Sequence, residues 1–340
     1  MGFSRAQEEA IRHRTGPMMV LAGPGSGKTP VITRRVSYLT GECGVNPADI
    51  LVITFTRAAA AEMRERYEKL ANGTSRTVFG TFHSVFFRIL KFAYRYSAEN
   101  IVREEQQAQM IRELIREARL EPEDEKEMVA GILSEISSVK GEMLDLRHYY
   151  SQNCPDEVFR AMYEGYEERM RKAGLIDFDD MMLMCRELFL QRPDILSAWQ
   201  KRYRYILIDE FQDINRLQYE IVRMLAKPED NLFIVGDDDQ SIYRFRGAKP
   251  EIMLGFEADY PQAKRVLLDI NYRCTKEISD ASLRLISRNQ KRFPKQIRTN
   301  GARGHEVITR IWPDPGQETL RIAQEIKGYL RAGYAPSDIA

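Results

Sequence analysis

Met18-Met19-Val20-Leu21-Ala22-Gly23-Pro24-Gly25-Ser26-Gly27-Lys28-Thr29 is the stretch that decides the fold. Five apolar residues lead into a loop that fits GxxxxGK[ST] completely, and a helical pattern follows at once. Glycines let a backbone wrap a phosphate chain, and the loop's N–H groups and the helix N-terminus favour negative charge there. In such a phosphate-binding loop Gly23, Gly25, Ser26 and Gly27 form the cradle, Lys28 reaches the β- and γ-phosphates, and Thr29 ligates magnesium. Pro30 comes next, tolerated because an N–H in the first helical turn has no intrahelical partner.

Working outward, short apolar runs at Met18–Ala22, Ile50–Phe55, Tyr205–Ile208, Leu232–Val235 and Val266–Leu268 end in glycine-rich or acidic loops. Runs of this length read as buried strands of a parallel sheet. Helical patterns such as Ala58–Ala71 and Arg216–Ala226 lie between them, which makes the fold class α/β, a phosphate-loop NTPase sheet. The segment Glu99–Gly174 differs, being helix-forming and poor in strand signals. Its part Glu99–Glu127 holds ten acidic and five basic residues, net −5. It reads as a helical insert, placing the first domain at 1–100 and 176–274, the insert at 101–175 and the start of a second domain at 275–340. After the insert, Asp177 in Ile176-Asp177-Phe178-Asp179-Asp180 is expected to be a helix N-cap.

Leu283–Arg303 carries seven basic residues and no acidic one, which suits either a solvated face or a nucleic-acid or phosphate contact. Beyond it a strand is expected at Glu306–Trp312 and an amphipathic helix at Glu318–Arg331. The sequence ends in what reads as the approach to a further strand, so the second domain is expected to be incomplete.

The chain has 340 residues, 51 Lys+Arg against 50 Asp+Glu and a formal net charge of +1. At about 100 to 200 residues per domain this allows two or three domains with proper cores. With 43% hydrophobic and 30% charged residues, disordered and fibrous classes are excluded. No run reaches the about 18 apolar residues of a membrane span, and Met1–Glu9 lacks a signal-peptide core, so a soluble, cytoplasmic protein with no membrane partner is expected. The four cysteines are far apart and do not cluster with the four histidines. Free thiols are expected rather than a disulfide framework or a structural zinc site.

A phosphate loop needs an acidic partner at another strand end, and Tyr205-Ile206-Leu207-Ile208-Asp209-Glu210 supplies one. Asp209 is placed to hold magnesium and Glu210 to polarise the attacking water as a general base. A motor also needs groups that sense the γ-phosphate. Gln240, after Leu232–Val235, and Arg273 are the candidates, the latter by arginine-finger logic.

The ordered set GPGSGKT, ITFTRAAAAEMRER, GTFHS, LIDEFQD, VGDDDQSIYRFRGA and NYR resembles the superfamily 1 DNA helicases of the UvrD, Rep and PcrA kind, with AddA and RecB among their relatives. The resemblance runs from Phe3 to about Arg273 and implies a RecA-like domain. It implies that Gln7 reads the adenine edge, although Ser4 and Gln7 also spell a capping box and both can hold. Lys28 and Thr29 would bind phosphate and magnesium, Asp209 magnesium and Glu210 the hydrolytic water. Gln240 would couple the γ-phosphate to DNA, Arg273 would act as a finger, and Tyr272 would stack on the base of ATP. On the DNA side it implies Phe55, Thr56 and Arg57, then Thr81, Phe82, His83 and Ser84, then Tyr243, Phe245 and Arg246. Single strands are held by aromatic stacking and cationic backbone contacts. His83 suits DNA contact and structural support equally.

Three positions depart from the common pattern: Phe245 replaces a tryptophan, Arg57-Ala58 replaces Asn-Lys, and Pro30 replaces a basic residue. The expected activity is ATP- and magnesium-dependent translocation on single-stranded DNA with duplex unwinding, its 3′ to 5′ polarity resting on resemblance alone. The alternatives are a helicase subunit of a repair nuclease and a non-motor module that binds nucleotide or DNA without turnover.

Overall fold

A computed structural model describes residues 2–243 and 247–339. Six strands form one parallel sheet: β1 (Met18–Ala22), β2 (Ile50–Thr54), β3 (Val78–Thr81), β4 (Tyr205–Ile208), β5 (Leu232–Gly236) and β6 (Lys264–Leu268). Their spatial order is β3-β2-β4-β5-β1-β6, and every pairing is parallel.

The period-2 geometry of a strand divides each apolar run between two cores. Met19, Leu21, Leu51, Ile53, Ile206, Ile208 and Ile234 face one core, with the helices Phe82–Ala93, Phe178–Gln191 and Arg216–Ala226. Met18, Val20, Ile50, Val52, Leu207, Phe233 and Val235 face the other, with Ile32 and Val36 of the helix Lys28–Gly41 and with Met63 and Tyr67 of the helix Arg57–Ala71. Burial on both faces is why these strands read as continuous apolar runs.

Four of the five expected strand positions agree with the structure to within a residue, and β6 begins two residues earlier than expected. β3 is an addition: Val-Phe-Gly-Thr is short, contains a glycine and follows Ser and Thr, so its sequence signal is weak. Glu306–Trp312 forms no strand, and among the described residues no neighbouring strand pairs with it. The helix after it spans Pro315–Arg331 and exposes Leu320, Ile322 and Tyr329. A second, two-stranded parallel sheet pairs β7 (Ile270–Asn271) with β8 (Arg298–Thr299).

The helices Glu104–Glu117, Glu125–Glu142 and Asp156–Ala173 have a core of their own around Ile111, Ile132, Phe159 and Tyr166. The chain leaves and returns at one point, marked by a parallel bridge between Ile101 and Ile176. Directly after it Asp177 caps the helix Phe178–Gln191 in a capping box with Asp180, as its sequence suggests. The same two carboxylates grip Lys140 from the helix Glu125–Glu142, at 2.8 Å from Asp177 and 2.6 Å from Asp180, and Glu167 adds a third contact at 2.6 Å. Burial opposes the charge on Lys140, but the three carboxylates outweigh it and raise its pKa.

No helix among the described residues is long and apolar enough to cross a membrane. Removing one partner of a buried ion pair leaves an uncompensated charge, which costs about 3–5 kcal/mol. Lys140→Met is therefore expected to lower unfolding stability by about that amount, read from the urea midpoint. A midpoint equal to the native one would show that the cluster does not tie these helices together.

Candidate functional site

The loop after β1 turns through left-handed backbone at Gly25 (φ 65°) and Gly27 (φ 83°), conformations that side chains rarely adopt. A Cβ on Gly25 would also strike Asn271 and Arg273, so glycine is required there twice over. Gly27 caps the helix that starts at Lys28, and Pro30 sits in its first turn, where it removes no intrahelical bond. Ser26 is buried, and its hydroxyl has no partner among the described residues.

Gln7 meets this loop from the N-terminal helix Arg5–Arg12. Its backbone N–H and side-chain oxygen complete the capping box with Ser4, and its Nε2 donates to Ser26 O at 3.0 Å. The cap therefore fixes an amide against the phosphate loop. Across the loop, Tyr272 N–H donates to Gly25 O at 3.0 Å, and Asn271 Oδ1 accepts from the N–H groups of Arg273 and Cys274. Tyr272 and Arg273 are both exposed beside the loop.

The acid pair follows β4. Asp209 is buried, and its Oδ1 has no hydrogen-bond partner among the described residues. Burial first, and then the charge of Glu210, push its pKa up to about 7. Glu210 sits in left-handed backbone (φ 51°), an uncommon conformation for a residue with a side chain. Its Oε2 lies 2.5 Å from Lys28 Nζ, and Gln212 Nε2 donates to the same oxygen at 2.9 Å. Gln212 also accepts from Asp237 N–H at 2.9 Å, joining the loops after β4 and β5. Gln212 was not singled out from the sequence, although it stands in LIDEFQD. Beside it, Gln240 donates from Nε2 to Asp237 Oδ2 at 2.7 Å.

Thr29, Asp209, Glu210 and Gln240 line a cavity of about 390 Å³ together with Phe55 and Tyr243. A hard divalent cation suits the nucleotide end of it. The buried, unpartnered oxygen of Asp209 and the hydroxyl of Thr29 are oxygen donors of the kind that share magnesium with substrate phosphates.

Phe55 and Tyr243 stack with ring centroids 5.3 Å apart. Phe245 and Arg246 lie outside the described residues. An adjoining cavity of about 400 Å³ brings Phe55, Thr81, His83 and Phe178 together with Ser134 and Ser138 of the helix Glu125–Glu142. His83 packs on Phe178 at 4.7 Å, and burial first, then Arg57, lowers its pKa, keeping it neutral at pH 7. Phe178 was read only as part of a capping sequence, yet it is half exposed in this cleft. Thr56 and Thr81 cap the helices after β2 and β3, and Arg57 is exposed at the start of the first. Ser84 completes the Thr81 capping box, and Phe82 is core.

The basic stretch Leu283–Arg303 is neither a wholly solvated face nor a free cationic track. Lys295 is buried against Asp237, Asp238 and Asp239, Arg292 pairs with Asp239, and Arg298 pairs with Asp269. Its acidic partners lie about 30 to 60 residues away in sequence, so a local charge count misses them.

Residues 3–261 match the UvrD/REP helicase N-terminal domain family. The chain belongs to this family. It is 39% identical to the ATP-dependent DNA helicase PcrA of Bacillus subtilis over 90% of its own length, and 35% identical to PcrA of Staphylococcus aureus over 98%. It is also 39% identical to YjcD of Bacillus subtilis over its whole length. The chain spans 42% of the first of these relatives and 46% of the other two.

A carboxyl that stays protonated up to about pH 7 in the fold, against 3.8 when exposed, makes the native state bind the extra proton between those values. Stability then falls as pH rises through that window, and the penalty is complete above about 7. Asp209→Asn is expected to raise the melting temperature at pH 8 in EDTA without nucleotide, with the gain shrinking towards pH 5. A gain independent of pH would show that burial of this charge is not the cause.

Proposed function

We propose that this chain is the ATP-binding part of a DNA motor that moves on single-stranded DNA and separates duplexes, acting in the cytoplasm. The observation that carries the reading is the shared cavity, lined by Thr29, Asp209, Glu210 and Gln240 together with the stacked rings of Phe55 and Tyr243. In the same reading, 1–100 with 176–274 is a RecA-like ATP-binding domain, 101–175 its helical insert, and 275–340 the beginning of a second such domain.

Gln7 would read the adenine edge and Tyr272 would stack on the base. The loop Gly23–Thr29 would hold the phosphates by backbone N–H groups, with Lys28 as the fixed cation. Thr29 and Asp209 would hold magnesium, which supplies charge neutralisation at the phosphate oxygens. Lys28 pairs with Glu210 at 2.5 Å. Phosphate oxygens compete for Lys28 and release Glu210, whose carboxylate then accepts a proton from the attacking water. Gln212, hydrogen-bonded to Glu210, orients that carboxylate. Arg273 would meet the charge developing on the transferred phosphoryl group, and Gln240 would report the γ-phosphate to Tyr243 and Phe55.

On the DNA side, bases would stack on Phe55, Tyr243 and Phe245, with His83 against Phe178 lining the adjacent pocket. Arg57 and Arg246 would contact the strand's phosphates, as would the N-termini of the helices that Thr56 and Thr81 cap.

In the intact protein Lys28→Ala should abolish nucleotide binding and turnover. Glu210→Gln should keep binding and cut DNA-stimulated hydrolysis by about 10²–10⁴-fold. Hydrolysis at the native rate by Glu210→Gln would make the general-base role wrong. Phe55→Ala should weaken single-strand affinity by about 1–3 kcal/mol in a fluorescence anisotropy titration, with ATP affinity in the absence of DNA unchanged. Equal single-strand affinity would remove Phe55 from the DNA path.

A further inference from the structure

The loop that carries Gln240 has an unusual composition: Asp237, Asp238 and Asp239 in succession, the side chains of the first two almost wholly out of solvent. Three neighbouring carboxylates inside a protein repel one another and lose their water, so this conformation exists only with compensating cations. Lys295 is the chief one. Its Nζ, fully out of solvent, lies 2.5 Å from Asp237 Oδ1, 2.6 Å from Asp238 Oδ1 and 2.9 Å from Asp239 Oδ2. Arg292 adds a bidentate pair to Asp239 at 2.7 and 2.6 Å, and Phe293 N–H donates to Asp238 at 2.8 Å.

Asp237 divides its two oxygens between two tasks. Oδ1 takes Lys295, and Oδ2 takes the Gln240 side-chain amide at 2.7 Å. Its backbone N–H is held by Gln212, which also holds Glu210. A line of direct bonds therefore runs from Lys295 through Asp237 to Gln240, and from Asp237 through Gln212 to Glu210. Two residues beyond Lys295, Ile297 lies against Gly23 at the start of the phosphate loop, so closely that a Cβ there would overlap it.

We propose that Lys295 is a positioning residue for ATP turnover, setting the Gln240 amide in the nucleotide cavity through Asp237. The inference rests on the reading of Gln240 as the residue that senses the γ-phosphate. A salt bridge that served stability alone would lower the melting temperature without tying its effect on turnover to Gln240. A positioning residue shows its effect only when the residue that it positions is present.

The test is a double-mutant cycle on the intact protein, using DNA-stimulated ATP turnover. Lys295→Met is expected to lower kcat about tenfold with KM for ATP within about twofold, and to lower it by less than twofold when Gln240 is already Ala. The same tenfold loss in both backgrounds would overturn the proposal while leaving Gln240 in its role. A native kcat for Gln240→Ala alone would instead overturn the reading of Gln240, and the proposal with it. If Lys295→Met does not fold, the pair K295M/D238N keeps the cluster's net charge. It is then compared with D238N, with and without Q240A, under the same criteria.

Discussion

The site depends on the parallel pairing of three adjacent strands, β4, β5 and β1. Because they run the same way, their C-terminal ends open on one edge of the sheet. The loops after them therefore converge: Asp209 and Glu210 after β4, Asp237–Gln240 after β5, and Gly23–Thr29 after β1. Ligands in open α/β sheets bind at this edge for the same topological reason. β2 and β3 extend the edge beyond β4 and deliver Phe55, Thr81 and His83 in the same direction.

Convergence also brings like charges together, and most of the polar contacts at the site answer that problem. Asp209, Glu210, Asp213, Asp237, Asp238 and Asp239 gather at one edge. Burial and the charge of Glu210 push Asp213 up to about 6 as they push Asp209 up to about 7. Lys28 answers for Glu210, and Lys295 with Arg292 answers for the aspartate run. Asp209 and Asp213 each keep a buried oxygen that has no hydrogen-bond partner among the described residues. Groups left short of partners in an otherwise satisfied protein mark where a ligand supplies the rest. The +1 net charge of the chain reflects none of this, since it averages over pairs arranged locally.

The loop motifs and most strands were legible because their signals are local. A five-residue apolar run followed by GPGSGKT, or an N-cap three residues before its capping-box partner, is complete within a few positions. β3 was missed because four residues with a central glycine carry little strand propensity, and its place in the sheet is decided by pairing with β2. Glu306–Trp312 has strand propensity and no strand beside it among the described residues, the opposite case. Of the seven cations in the basic stretch, Arg292, Lys295 and Arg298 meet carboxylates that the fold brings from a distance, which a local charge run does not reveal, while Arg284, Arg288, Lys291 and Arg303 are exposed. Phe178 shows the limit of assigning one role per motif, since the sequence that caps a helix also places an aromatic ring in the cleft.

The central claim is that one cavity, walled by nucleotide residues and by the Phe55–Tyr243 stack, links ATP to single-stranded DNA. Linkage is reciprocal: if nucleotide changes DNA affinity by some factor, DNA must change nucleotide affinity by the same factor. The direct measurement is the dissociation constant of the intact protein for an oligonucleotide with and without a non-hydrolysable ATP analogue, and of the analogue with and without the oligonucleotide. The account predicts equal factors of at least about fivefold in both directions. Two affinities indifferent to each other would contradict it.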